Sequence, residues 1–186
     1  MSSSKGKLIV ISAPSGTGKG SVIARMLEAC PALVMSVSAT TRQPRGGETD
    51  GVSYHFVSAD RFRDMINNGE FLEYAEYVGD YYGTPKKPVF DCIESGRDIL
   101  LEIEVRGAGQ VMAAVPDAIS IFIVPPDMDE LERRLRGRGT DTEDKLEARL
   151  IKAKAEMERK DDYMHIVVND DIARAADEIL SIIETG

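Results

Sequence analysis

The segment Ala13-Pro14-Ser15-Gly16-Thr17-Gly18-Lys19-Gly20-Ser21 has the residue types and order needed to hold a phosphate. It follows the apolar run Leu8-Ile9-Val10-Ile11 and precedes a stripe of Val22, Ile23, Met26 and Leu27, so it joins a strand to an amphipathic helix. Gly16 and Gly18 permit a tight turn that aims backbone N–H groups inward at an anion. The helix amino terminus adds partial positive charge. Lys19 adds a full one, placed between the β- and γ-phosphates of a nucleoside triphosphate. Two positions depart from the plain pattern: Ala13 stands where the first glycine is usual, and Gly20 where a hydroxyl normally touches Mg2+. The hydroxyl comes one residue later, which makes Ser21 the candidate metal contact, direct or through water.

Other charged residues are grouped in ways that suit anionic ligands. Arg42 and Arg45 sit together, and Arg133, Arg134, Arg136 and Arg138 crowd a short stretch of a chain whose net charge is -9. Cation clusters on an acidic chain point to small anionic ligands, although Arg133 and Arg136 also suit a solvated helix face. A further apolar run ends Leu101-Glu102-Ile103-Glu104. Alternation in an extended strand puts both carboxylates on one side. There they can hold Mg2+ through water, with Glu102 the candidate, or accept hydrogen bonds from a nucleotide.

These groups need a scaffold, and the chain supplies one. Ile99-Leu100-Leu101, Ile119-Ser120-Ile121-Phe122-Ile123-Val124 and Ile166-Val167-Val168 join the first apolar run as short, continuous strands. That pattern suits parallel strands covered on both faces, and a fifth strand is expected near Val34 to Val37. Leu131 and Leu135 mark one further helix; Ile172, Ala175, Ala176, Ile179, Leu180 and Ile183 mark another. Strands alternating with helices predict an α/β fold with a mostly parallel sheet.

Composition narrows the partners. The chain has 186 residues, 42% hydrophobic and 30% charged, which suits one globular unit with subdivisions. Its net charge of -9 argues against a nucleic-acid partner, which would need a basic face. Cys30 and Cys92 lack metal or disulfide spacing, and His55 and His165 are isolated. No apolar run reaches membrane-spanning length, and Met1-Ser2-Ser3-Ser4-Lys5 lacks the apolar stretch of a signal peptide. A cytoplasmic protein is expected, with monomer or homo-oligomer left open.

The Gly-Lys-Gly-Ser ending of the phosphate loop is typical of nucleoside monophosphate kinases. The run Ser36-Val37-Ser38-Ala39-Thr40-Thr41-Arg42-Gln43-Pro44-Arg45-Gly46-Gly47-Glu48, with Gly51 and Tyr54, resembles the signature of the guanylate kinase family. The likeness continues through Gly69-Glu70-Phe71-Leu72-Glu73-Tyr74-Ala75, Tyr81-Tyr82-Gly83-Thr84, Arg134-Leu135-Arg136-Gly137-Arg138-Gly139 and Val168-Asn169-Asp170-Asp171. It implies a P-loop three-layer fold with an inserted mixed α/β nucleotide-binding subdomain and a helical lid. The implied division is a core of residues 1–36, 98–129 and 156–186, a GMP subdomain of 37–97 and a lid of 130–155.

The resemblance also implies an activity, ATP + GMP giving ADP + GDP with Mg2+ accompanying ATP, and dGMP as an alternative acceptor. Arg42, Arg45, Tyr54 and Tyr82 match residues that hold the acceptor phosphate. Glu73, Ser38 and Thr84 match those that read guanine. Arg134, Arg138 and Arg149 match lid arginines beside the transferring group, and Asn169 matches an adenine contact. Glu104 stands where the family usually has aspartate, which leaves its contact with guanine or metal-bound water in question, and Arg106 stands where glutamine is common.

Overall fold

The computed structural model describes residues 5–137 and 142–186. Nine strands are found among the described residues: β1 (Leu8–Ser12), β2 (Val34–Met35), β3 (Ala39–Thr40), β4 (His55–Phe56), β5 (Phe71–Tyr77), β6 (Asp80–Pro85), β7 (Ile99–Glu102), β8 (Ile119–Val124) and β9 (His165–Val168). Their helices are α1 (Lys19–Ala29), α2 (Ala59–Asn67), α3 (Lys86–Glu94), α4 (Val105–Ala114), α5 (Met128–Arg136), α6 (Glu143–Met157) and α7 (Ile172–Thr185). The fold is α/β, with a parallel central sheet in the order β2-β7-β1-β8-β9.

Alternation along β1 explains the three layers. Ile9 and Ile11 point to one face, where Val22, Ile23 and Met26 of α1 meet Ala175, Ala176 and Ile179 of α7. Leu8 and Val10 point to the other, against Val89 and Cys92 of α3 and Ala108 and Val111 of α4. A strand sandwiched in this way needs apolar residues at nearly every position, hence the run Leu8 to Ile11; buried Ser12 is satisfied by donating to the Ile103 carbonyl at 2.9 Å. The last strand departs from that expectation. In β9 only Val167 is fully covered, while Ile166 and Val168 remain 41% and 38% exposed. The reason is position: β9 is the sheet edge, and α7 covers only one of its faces.

The remaining strands form a mixed sheet in the order β4-β3-β6-β5. Strand β6 is antiparallel to both β3 and β5. The β5–β6 hairpin turns on Val78 and Gly79, both with positive φ (53° and 83°), as a two-residue hairpin requires. Phe62 of α2 stacks on Phe71 at 4.5 Å and anchors a separate core beneath this sheet. Of the stretch from Ser53 to Val57, only His55 and Phe56 pair, as β4. Helices α5 and α6 join through Leu131, Leu135, Leu146 and Ala153. Asp127 caps α5 by accepting from the Glu130 N–H, and acids in its first turn with arginines in its last match the helix partial charges.

Candidate active site

The phosphate loop leaves the carboxyl end of β1 and ends as the amino terminus of α1. Gly16 and Gly18 have φ of 96° and 87°, a left-handed conformation that a side chain would strain. Space is also tight: a Cβ on Gly18 would lie 2.7 Å from Asn169 Nδ2, and one on Gly16 would lie 2.7 Å from Leu135. The loop is therefore clamped from outside by the last strand's exit and by α5. Thr17 is its pivot. Its hydroxyl donates to the Pro14 carbonyl at 2.5 Å, while its own carbonyl accepts from Asn169 Nδ2 at 2.6 Å and Arg134 Nη1 at 3.0 Å.

Lys19 Nζ lies 3.5 Å from Glu102 Oε1 and donates to the Ile103 carbonyl at 3.4 Å. Arg134 also holds Glu130 and the Asn169 carbonyl, and Arg149 Nη2 donates to Ser15 Oγ at 2.7 Å. These two arginines, expected in the lid, thus reach the phosphate loop itself; Arg138 lies outside the described residues. Asn169 is buried, with its Oδ1 lacking a hydrogen-bond partner among the described residues. Ser21 is exposed beside the loop. Residues 13–21, together with Glu104, Lys152 and Glu156, wall a cleft of about 430 Å³.

A second cleft of about 750 Å³ adjoins the first and shares Glu104, Lys152 and Glu156 with it. One end carries Ser38, Arg42, Arg45, Tyr54 and Tyr82. Arg42 forks onto Glu48 at 2.8 and 2.9 Å and stands 5.4 Å from the centre of the Tyr54 ring. The Arg42 guanidinium, then the Arg45 amide at 2.7 Å, hold the Glu48 carboxyl down at about 2. The same pairing raises Arg42 further, so both stay charged.

Glu73 lies deeper and is 7% exposed. Burial pushes its carboxyl above the ordinary value of 4.5, and hydrogen bonds from Thr84 partly oppose this. The Thr84 hydroxyl donates to Glu73 Oε1 at 2.7 Å and sits behind the carboxylate, not on the cleft wall. A register shift in β5 between Phe71 and Glu73 buries Phe71, Leu72 and Glu73 in succession.

Glu102 and Glu104 part company here. Glu102 ends β7 beside Lys19, while Glu104 is the N-cap of α4 and meets Lys152 of α6 at 3.2 Å. Burial lowers the Lys152 ammonium, but the charges of Glu104 and Glu156 outweigh it and raise it. Lys152 also stands 5.1 Å from the Tyr77 ring, linking α6 to the β5–β6 hairpin. Arg106 borders the cleft and has no hydrogen bond or ion pair among the described residues. Sequence reasoning missed Glu48, Lys152 and Glu156. Glu48 was visible as the acid closing an arginine-rich motif, and spacing puts Arg149, Lys152 and Glu156 on one face of a helix.

Among the described residues no cluster of three or more His, Cys, Asp or Glu could hold a metal, and no helix is long and apolar enough to cross a membrane. Cys30 and Cys92 are free.

The parallel sheet, phosphate loop and adjoining arginine-lined cleft define a P-loop nucleotide kinase. A family model described as Guanylate kinase matches residues 5–186. A guanylate kinase of Lactococcus lactis is 50% identical over 97% of this chain and 88% of its own, and one of Clostridioides difficile is 46% identical over the same shares. The crystal structure of guanylate kinase from Anaplasma phagocytophilum superposes with a TM-score of 0.78 at 37% identity, covering 98% of this chain and 86% of that one. This chain belongs to the guanylate kinase family.

Proposed function

We propose that the chain transfers the γ-phosphoryl group of ATP to GMP, giving ADP and GDP, with donor and acceptor in the two adjoining clefts. The observation that carries this reading is the buried Glu73 carboxylate in a cleft whose other end is lined by Arg42, Arg45, Tyr54 and Tyr82. Arginine offers fixed, always-charged forks to a phosphate, and phenols add neutral donors. A carboxylate accepts from guanine N1–H and the exocyclic amine together, whereas adenine N1 is an acceptor and would face it lone pair to lone pair. Sites built on such paired bonds reject the wrong base by roughly 10⁴-fold or more. Ser38 completes the base contacts, with Thr84 steadying Glu73 from behind.

The acceptor phosphate is already an anion, so in-line transfer needs no general base and no covalent intermediate. What the chain contributes is positioning and charge. Loop amides and Lys19 take the donor's phosphates, with residues 13–21 as their cradle and Asn169 toward the adenine. Arg42 holds the acceptor, and Arg134, Arg138 and Arg149 neutralise charge developing in transfer. Exclusion of water by α5 and α6 would protect ATP from hydrolysis. In this scheme residues 1–36, 98–129 and 156–186 are the core, 37–97 the acceptor subdomain and 130–155 the lid.

The sparse hard-oxygen donors near the loop, Ser21 and Glu102, with Glu104 beyond, fit Mg2+ that arrives on the nucleotide and keeps most of its ligands from phosphate and water. Bound there, Mg2+ would neutralise phosphate charge. We place the reaction in the cytoplasm, consistent with two unpaired cysteines, and expect dGMP to serve as an alternative acceptor. A coupled ADP-release assay with GMP, dGMP, AMP and UMP tests the proposal. GMP should exceed AMP by several orders of magnitude; equal rates with both would remove Glu73 from its role.

A further inference from the structure

We propose that Gly107 is a specificity-determining position, where the lack of a side chain seats the Glu73 carboxylate that reads the acceptor base; this rests on the GMP reading above. Gly107 is in the first turn of α4, and a Cβ built there would lie 2.5 Å from Glu73 Oε2 and 3.1 Å from the carboxyl carbon. An ordinary contact between carbon and oxygen is near 3.4 Å, so the carboxylate would have to move by most of an ångström.

Backbone conformation does not explain the glycine. Gly107 is not among the residues of positive φ, so alanine could adopt its backbone, and within a helix alanine is the better former. What the glycine permits is close approach. The two carboxylate oxygens divide the work. Oε1 is tied to the Thr84 hydroxyl at 2.7 Å, while Oε2 is the one facing Gly107. Pushing Oε2 aside therefore strikes the oxygen that no side chain holds among the described residues. Two residues along the same helix, a Cβ on Gly109 would meet nothing within 4 Å, so the close approach to Glu73 is particular to Gly107.

The test uses the full chain as wild type, G107A, E73A and the double variant. Each is assayed for kcat/KM with GMP and with inosine monophosphate, which lacks the exocyclic amine, and for KM of ATP and melting temperature. Displacing a recognition group by about 1 Å costs on the order of 10²-fold. G107A should therefore lose about 10–100-fold with GMP, narrow the preference over inosine monophosphate, and keep its ATP KM within about two-fold. In the E73A background the added alanine should cost less than about two-fold, since its target is gone.

An equal loss in that background, or a fully active G107A, would overturn the proposal. If G107A fails to fold, recovery of the melt in the double variant supports the contact, and a double variant that also fails overturns it. Unchanged GMP use by E73A alone would instead sink the GMP reading itself, so the two failures are told apart.

Discussion

Replacing Thr84 by valine removes one hydroxyl and nearly preserves side-chain shape, so its consequences report on the Glu73 carboxylate. Thr84 is fully buried and donates to Glu73 Oε1 at 2.7 Å. A hydrogen bond to a charged group contributes about 1.5–3 kcal/mol, and at 7% exposure Glu73 has little water to replace it. In a chain of this length each kcal/mol moves the melting temperature by about 2–4 °C. T84V should then melt roughly 3–12 °C lower near neutral pH.

The pH dependence follows from sign. Burial raises the folded pKa of Glu73 above 4.5, and the Thr84 bonds hold it down. Without the hydroxyl it rises further. A buried acid with a raised pKa destabilises the fold while ionised, so stability improves as pH falls through that pKa toward the unfolded value. The T84V deficit should be full above the folded pKa and shrink below it. On the proposed reading guanine recognition uses the ionised form, so the acid limb of kcat/KM for GMP should move to higher pH in T84V. Calorimetric melts and pH–rate profiles check both. A deficit equal at all pH values, with an unmoved acid limb, would refute the reasoning.

Lys19→Ala should lower turnover by about 10²–10³-fold or more while leaving the melting temperature near wild type; single-turnover assays and circular dichroism decide this. Glu48→Gln weakens the fork that orients Arg42 and should raise the GMP KM about ten-fold with ATP KM unchanged. Since the Glu48 carboxyl sits at about 2 in the fold, its contribution is present above the ordinary carboxylate value and is lost only as pH falls through about 2, so the wild-type pairing should be constant in kinetics from mildly acidic to neutral pH. Arg134→Leu removes two of the ties around the phosphate loop and should raise the ATP KM several-fold, measured at saturating GMP, without altering the GMP KM.

The central sheet was legible because a strand covered on both faces must be largely apolar, and β1, β7 and β8 obey apart from Ser12, Glu102 and Ser120. The β9 run carried the same letters but lies at an edge, and no local pattern distinguishes the two. Strands β3 and β4, two residues each, are defined by partners distant in sequence. The phosphate loop is a local motif and could be read directly. Glu73 could not be read from Phe71-Leu72-Glu73-Tyr74 alone, where alternation suggests a solvated acid; only a register irregularity opposite β6 turns it inward. The family likeness singled out Glu73 but said nothing of Gly107, whose meaning exists only where α4 meets that carboxylate. Lys152 and Glu156 were hidden because a charge-rich helix reads as surface until its partners on α4 and the hairpin are known.

The carbonyl of Thr17 accepts from Asn169, 152 positions along the chain, and Lys7 Nζ reaches the Ile183 carbonyl, 176 positions along. The nucleotide-binding turn is thus synthesised long before one of the residues that braces it. A nascent chain halted before Asn169 would carry the whole motif yet lack one of the braces that fix its curvature. Competence to grip a triphosphate should arrive only after β9 has joined the sheet and Asn169 has followed it, when the turn becomes rigid.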